Sequence, residues 1–306
     1  MSTPQGAVAP GRAEPIARSG VSTTDLMLLG MSIIWGVNFS VVKYGTMHLP
    51  PLAFNGIRMS LALLTLGALT LARGGLRMAR RDIVALLALG LLGNGLYQIL
   101  FIEGIARTRA GTVALILAAG PAFVALFGRL LRVERVSRRG WIGIALSVAG
   151  IALVSAGATA ASSGSETMVG NGLVLAGALC WAIFSVLLKP YANRIGAAQL
   201  GTVTTAGGLT ALLLVAAPSL GRMDWTGVPP GVWGALAYSG FGALALAGLL
   251  WVRGVRVLGP TRTAMYVNLQ PVMALLVAWA ALGEIPTPAQ LGGTGAIIAG
   301  VLLTRS

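Results

Sequence analysis

Long apolar runs separated by short polar breaks fill the chain from about residue 25 to its end. Ten of them have roughly the 17–25 residues that cross a bilayer as a helix. They are 25–44, 52–72, 83–104, 110–130, 140–157, 171–189, 197–217, 231–252, 259–282 and 288–304. The breaks fall at Pro50-Pro51, the Arg-rich 73–81, the basic 132–139, the Ser/Gly/Ala-rich 158–170, Pro218, Pro229-Pro230 and Pro286/Pro288. Apolar residues run continuously instead of alternating, which excludes an outer-membrane barrel. The pattern predicts an all-α polytopic membrane protein with ten transmembrane helices.

Composition agrees with the pattern. Of 306 residues, 56% are apolar and only 10% charged, far below the roughly 25% charged of a soluble domain. The 43 glycines have no collagen period. A formal charge of +14 would point a soluble protein toward nucleic acid, but its distribution points elsewhere. With the N-terminus inside, seventeen Lys and Arg fall on the cytoplasmic side and four outside. The inner set includes Arg73, Arg77, Arg80 and Arg81 after the second span, and Arg129, Arg132, Arg135, Arg138 and Arg139 after the fourth. That bias predicts both termini in the cytoplasm of a multi-pass inner-membrane protein, its basic loops facing anionic headgroups, with no nucleic-acid partner. Residues 1–22 lack a compact apolar signal segment and are expected to form a disordered cytoplasmic tail. The single cysteine, Cys180, allows no intrachain disulfide and no metal spacing.

The chain also repeats itself. At an offset of 146, Trp35 falls on Trp181 and Lys43 on Lys189. At an offset of 150, Gly90 falls on Gly240, Gly104 on Gly254, Pro121 on Pro271, Glu134 on Glu284, Gly143 on Gly293 and Gly150 on Gly300. Matching Pro, Glu and Trp in one register mark a duplication. The expected layout is a first five-helix repeat at 23–157, an external linker at 158–170 and a second repeat at 171–306. Five is odd, so the second copy enters the membrane from the opposite face. Inverted repeats of this kind build alternating-access transporters, with the substrate at the repeat interface. An inverted-repeat channel, or a scaffold duplicated for stability, fits the duplication too.

Trp35-Gly36-Val37-Asn38-Phe39, Pro50-Pro51 followed by Arg58, the mid-helix Pro121 and Pro271, and Gly283-Glu284 together resemble the EamA family of the drug/metabolite transporter superfamily. The resemblance spans about residues 25–304. It implies a ten-helix inner-membrane carrier, commonly an exporter of amino acids or other small metabolites. The first copy departs from the pattern with Val133-Glu134 where the second has Gly283-Glu284.

Several residues could carry chemistry. Pro121 and Pro271 each remove a backbone donor and free the carbonyl four residues earlier, so they read as paired hinges or as plain kinks. Arg58 lies about seven residues into its span, roughly 10 Å deep at 1.5 Å per residue. It could bind a substrate carboxylate with its planar fork, or serve as a snorkelling or structural cation. Trp35, Asn38 and Phe39 share a helix face, as do Asn94, Tyr97 and Gln98; Trp181 and Ser185; Tyr238 and Phe241; and Tyr266 and Gln270. These sets could line a mixed polar and apolar pocket or simply bond helix to helix. Gly143, Ser147 and Gly150, and Gly292, Ala296 and Gly300, form small-residue stripes suited to close packing or a homodimer contact.

No Asp or Glu falls in the middle of a span, which argues against cation/proton exchange through a buried carboxylate. Neither HExxH nor a Walker A sequence is present, and no metal or cofactor is expected. The reading is a secondary transporter, not an enzyme, moving a small amphipathic or zwitterionic, amino-acid-like metabolite by alternating access, with export as the direction the resemblance implies. The alternatives are a nucleotide-sugar or lipid-linked substrate carrier, or a non-transporting membrane receptor or enzyme.

Overall fold

The structure is a computed structural model describing residues 22–108, 113, 116–117, 119–156, 165–270, 272–273 and 288–305. Ser22 opens the first helix with a reciprocal cap: its hydroxyl accepts from the Asp25 N–H, and the Asp25 carboxylate accepts from the Ser22 N–H. Helix α1 (Thr23–His48) ends just before Leu49-Pro50, and Pro51 sits where a missing N–H costs nothing, at the start of α2 (Pro51–Ala72). There follow α3 (Arg80–Arg107), α4 (Gly120–Leu130), α5 (Arg138–Ala156), α6 (Ser165–Ala192), α7 (Ala197–Gly221), α8 (Pro230–Leu258), α9 (Pro260–Val267) and α10 (Pro288–Arg305). No strand occurs among the described residues.

Six helices, α1, α2, α3, α6, α7 and α8, contain stretches of 22 to 29 residues that are long and apolar enough to cross a bilayer. The shorter α4, α5, α9 and α10 occupy the places of the other expected spans. Helix α6 begins at Ser165, within the segment expected to be linker. All but Ser22 of the expected tail, and residues 157–164 around the linker, lie outside the described residues.

The repeat register organises the packing. Helix α3 contains one π-helical stretch, Leu91–Leu96, and α8 contains another, Tyr238–Leu246, overlapping it at the 150 offset. A Cβ on Gly90 would lie 2.1 Å from the Thr204 carbonyl of α7, and one on Gly240 would lie 2.8 Å from the Arg58 carbonyl of α2. Thr204 is the residue that the 146 offset pairs with Arg58, so each copy's second helix lies on the other copy's third. Helices α5 and α10 pack chiefly on each other, again reciprocally. A Cβ on Gly143 would lie 2.6 Å from the Gly300 carbonyl, and one on Gly150 would lie 2.6 Å from the Gly293 carbonyl. The small-residue stripes therefore meet inside one chain. Gly143, Ser147, Gly150 and Gly300 are buried in that contact, while Gly292 has open space around it.

Candidate functional site

One interior cavity gathers side chains from α1, α2, α3, α4, α6, α8 and α9, with a volume of about 1000 Å³ including its open mouth. Its walls come in register-related pairs: Trp35 with Trp181, Asn94 with Leu244, Gln98 with Gly248, Phe101 with Trp251, Leu117 with Val267, and Gly120 with Gln270. Two devices bring them there. The π-helical stretches widen a turn, which places Asn94 on one side and Ala243 and Leu244 on the other. The second device is a pair of helix breaks. Ala119 donates to the Ile116 carbonyl at 3.2 Å, and Leu269 donates to the Tyr266 carbonyl at 3.1 Å, equivalent tight turns just before Pro121 and position 271. Leu117, Gly120, Pro121, Val267 and Gln270 line the cavity around these breaks.

The floor is aromatic. Trp35, Trp181 and Trp251 form a triangle with ring centroids 6.1, 5.6 and 5.2 Å apart, and Tyr97 packs on Trp181 at 5.0 Å. The Trp35 indole N–H donates to the Ala243 carbonyl inside the second π-helical stretch at 2.8 Å. The Trp251 indole N–H is buried without a partner among the described residues.

The polar wall centres on Arg58, which is 1% exposed. Its Nε donates to Asn55 Oδ1 at 2.7 Å, Nη1 to Ser239 Oγ at 2.8 Å and Nη2 to Gln98 Oε1 at 2.8 Å. Ser239 in turn donates to Asn38 Oδ1 at 2.7 Å, and the Asn55 amide donates to the Gln98 carbonyl at 3.1 Å. Four helices, α1, α2, α3 and α8, thus hold the guanidinium through neutral groups.

Of the residues expected at a pocket, Trp35, Asn38, Arg58, Asn94, Tyr97, Gln98, Trp181 and Gln270 line this cavity, and so does Pro121. Three others point their polar atoms elsewhere. Ser185 donates back one turn to the Trp181 carbonyl at 2.7 Å. Tyr238 donates to the Ile34 carbonyl at 3.0 Å, fastening α8 to α1. Tyr266 donates to the buried Asp25 carboxylate at the start of α1. Pro271 lies outside the described residues. The sequence reading passed over Trp251, Ser239 and Asn55. The repeat register offers a signal for Trp251, since it pairs with Phe101, one turn beyond Tyr97.

The repeated glutamate also has work in this structure. Glu134 accepts from the Thr261 N–H at 3.1 Å and its hydroxyl at 2.8 Å, capping α9 across the copies. Gly259 has φ +87°, a conformation that favours glycine, and a Cβ there would lie 2.6 Å from Glu134 Oε1 and push the capping carboxylate aside. On the same face Lys189 Nζ donates to the Val255 and Arg256 carbonyls at 2.7 and 2.9 Å, and Arg256 donates to the Ala192 and Ile195 carbonyls. A bidentate pair between Arg194 and Asp82, 2.7 and 2.8 Å, joins the copies there and holds the Arg194 guanidinium above its ordinary pKa.

The sequence model of the EamA-like transporter family matches residues 22–156 and, a second time, residues 168–306. The chain belongs to this family. It is 26% identical to the uncharacterised transporter YyaM of Bacillus subtilis strain 168, over 90% of this chain and 92% of that one. It is 28% identical to the uncharacterised inner membrane transporter YedA of Escherichia coli K12, over 90% and 88%. A protein of Streptantibioticus cattleyicolor named as a probable terminal-alkyne amino-acid exporter is 27% identical over 89% of each. A crystal structure at 19% identity has the same fold, with a TM-score of 0.75 over 93% of this chain and 99% of its own. The cavity is therefore that of an EamA-type multi-pass membrane transporter. Among the described residues no cluster of three His, Cys, Asp or Glu could hold a metal.

Proposed function

We propose that this EamA-family chain is a secondary carrier that exports a small amphipathic or zwitterionic, amino-acid-like metabolite across the inner membrane by alternating access. In this reading each of the ten helical elements belongs to one of ten spans, two inverted sets of five, with both termini in the cytoplasm. The observation that carries it is the cavity itself: register-related residues from both copies converge on one interior space containing a buried guanidinium. That is where a repeat-built carrier places its substrate. The breaks before Pro121 and position 271 supply equivalent pivots on the two copies. The amino-acid exporter named among the relatives supports the substrate class.

Counterflow in liposomes tests the reading. Protein-containing liposomes preloaded with an unlabelled amino-acid and analogue panel should accumulate the labelled counterpart of at least one member faster than empty liposomes. A channel would conduct with no acceleration by internal substrate. A receptor or enzyme would show no flux across the panel, and either result would discard the carrier. Growth of an overexpressing strain on toxic amino-acid analogues then identifies the cargo.

A further inference from the structure

The cavity carries one formal charge, and it is positive. Arg58 is its only charged wall residue among the described residues, with no Asp or Glu beside it. The sequence puts no acid in the middle of any span. The three hydrogen bonds of the guanidinium go to Asn55, Ser239 and Gln98, all neutral. A guanidinium has five N–H groups, so one remains on each terminal nitrogen. Trp251 also lines the cavity, and its indole N–H is buried with no hydrogen-bond partner among the described residues.

Buried donors and a buried cation without a counter-ion are costly, and a group that only accepts hydrogen bonds and carries negative charge relieves both costs. A carboxylate does this, and the fork of Arg58 can hold both its oxygens. The opposite end of an amino acid has no such answer. An ammonium would find tryptophan faces but no carboxylate, and Arg58 in the same space would repel it. The aromatic floor suits an apolar, flat body.

We propose that the cavity selects substrates of net negative charge: a carboxylate on an apolar body whose amine is acylated or absent, in preference to the free zwitterion. This narrows the carrier reading, and rests on it for movement but not for binding.

Four probes with one side chain isolate charge: N-acetylphenylalanine (an anion), phenylalanine (a zwitterion), N-acetylphenylalaninamide (neutral) and phenylalaninamide (a cation). Binding to the purified full-length chain is read by thermal shift and by tryptophan fluorescence. The anion should bind at least tenfold more tightly than each of the other three. Arg58→Gln should abolish that preference. If Arg58→Gln does not fold, Arg58→Lys should keep the preference with weaker binding. The wild-type series decides on its own. Equal or tighter binding of phenylalanine or phenylalaninamide, or no binding of N-acetylphenylalanine up to millimolar concentration, overturns the proposal. Failure of the carrier reading looks different: the anion binds with the stated preference, yet shows no counterflow in liposomes.

Discussion

Arg58 is held by hydrogen bonds to neutral groups, so its supports can be removed one at a time. Ser239 is the informative one, because it accepts from Arg58 and donates to Asn38. Ser239→Ala should lower stability by about 1–3 kcal/mol, the usual cost of leaving a buried polar partner unsatisfied. Thermal unfolding in detergent measures it. Combining it with Asn38→Ala should cost less than the two single losses together, since both mutations break one bond. Additive losses would mean that the Ser239–Asn38 bond contributes nothing. Arg58 was legible in the sequence because a charge in an apolar run is expensive anywhere in lipid. Ser239 was not, because a serine in a Gly- and Ala-rich stretch has no pattern until a partner from another helix meets it. Tyr238 and Tyr266 carry their hydroxyls to other partners for a related reason. Helical spacing gives the face on which a ring begins, and the long side chain then carries its hydroxyl to Ile34 or Asp25.

Among the helices, the tightest requirement falls on α5 and α10. A side chain at Gly150 would strike the Gly293 carbonyl at 2.6 Å and the Ile297 nitrogen at 2.9 Å, both backbone atoms that cannot rotate away. Gly150→Val should therefore separate the helices and cost at least about 1–3 kcal/mol, the range for overpacking a tight contact. Gly292→Val has open space and should be neutral. Size-exclusion profiles and melting temperatures of the two variants check the contrast; equal behaviour would refute the close contact. Glycine stripes were readable as close-packing surfaces, and the 150 offset pairs Gly143 with Gly293 and Gly150 with Gly300. What periodicity could not provide was the π-helical widening at Leu91–Leu96 and Tyr238–Leu246. Both ordinary and widened turns keep the run apolar, so the hydropathy pattern is blind to the difference. The start of α6 at Ser165 was equally hidden, since Ser, Gly and Ala read as linker until helix packing supplies the missing stability.

Among the described residues, register-related backbone contacts recur at Gly90 and Gly240 and between α5 and α10, whereas the register-related lysines differ. On the face carrying Arg194 and Arg256, Lys189 holds the last carbonyls of α8, adding a cation where the helix dipole is negative. Its register partner Lys43 is exposed, and its ammonium donates no hydrogen bond among the described residues. The carbonyls equivalent to Val255 and Arg256 under the 150 offset are those of Ile105 and Ala106, at the end of α3. If the chain alternates between facing states, Lys43 should take those carbonyls when its own face shuts and Lys189 lets go. Lys189→Ala should then raise labelling of a cavity cysteine at Ala178, in a Cys180→Ala background, from the basic face. Lys43→Ala should leave that labelling at the parent level or reduce it, because it removes a tie belonging to the other state. An impermeant maleimide applied to vesicles of each orientation reads both effects. Unchanged labelling from both faces in both variants would reduce the two lysines to ordinary helix caps and separate the sequence repeat from the switching of the carrier.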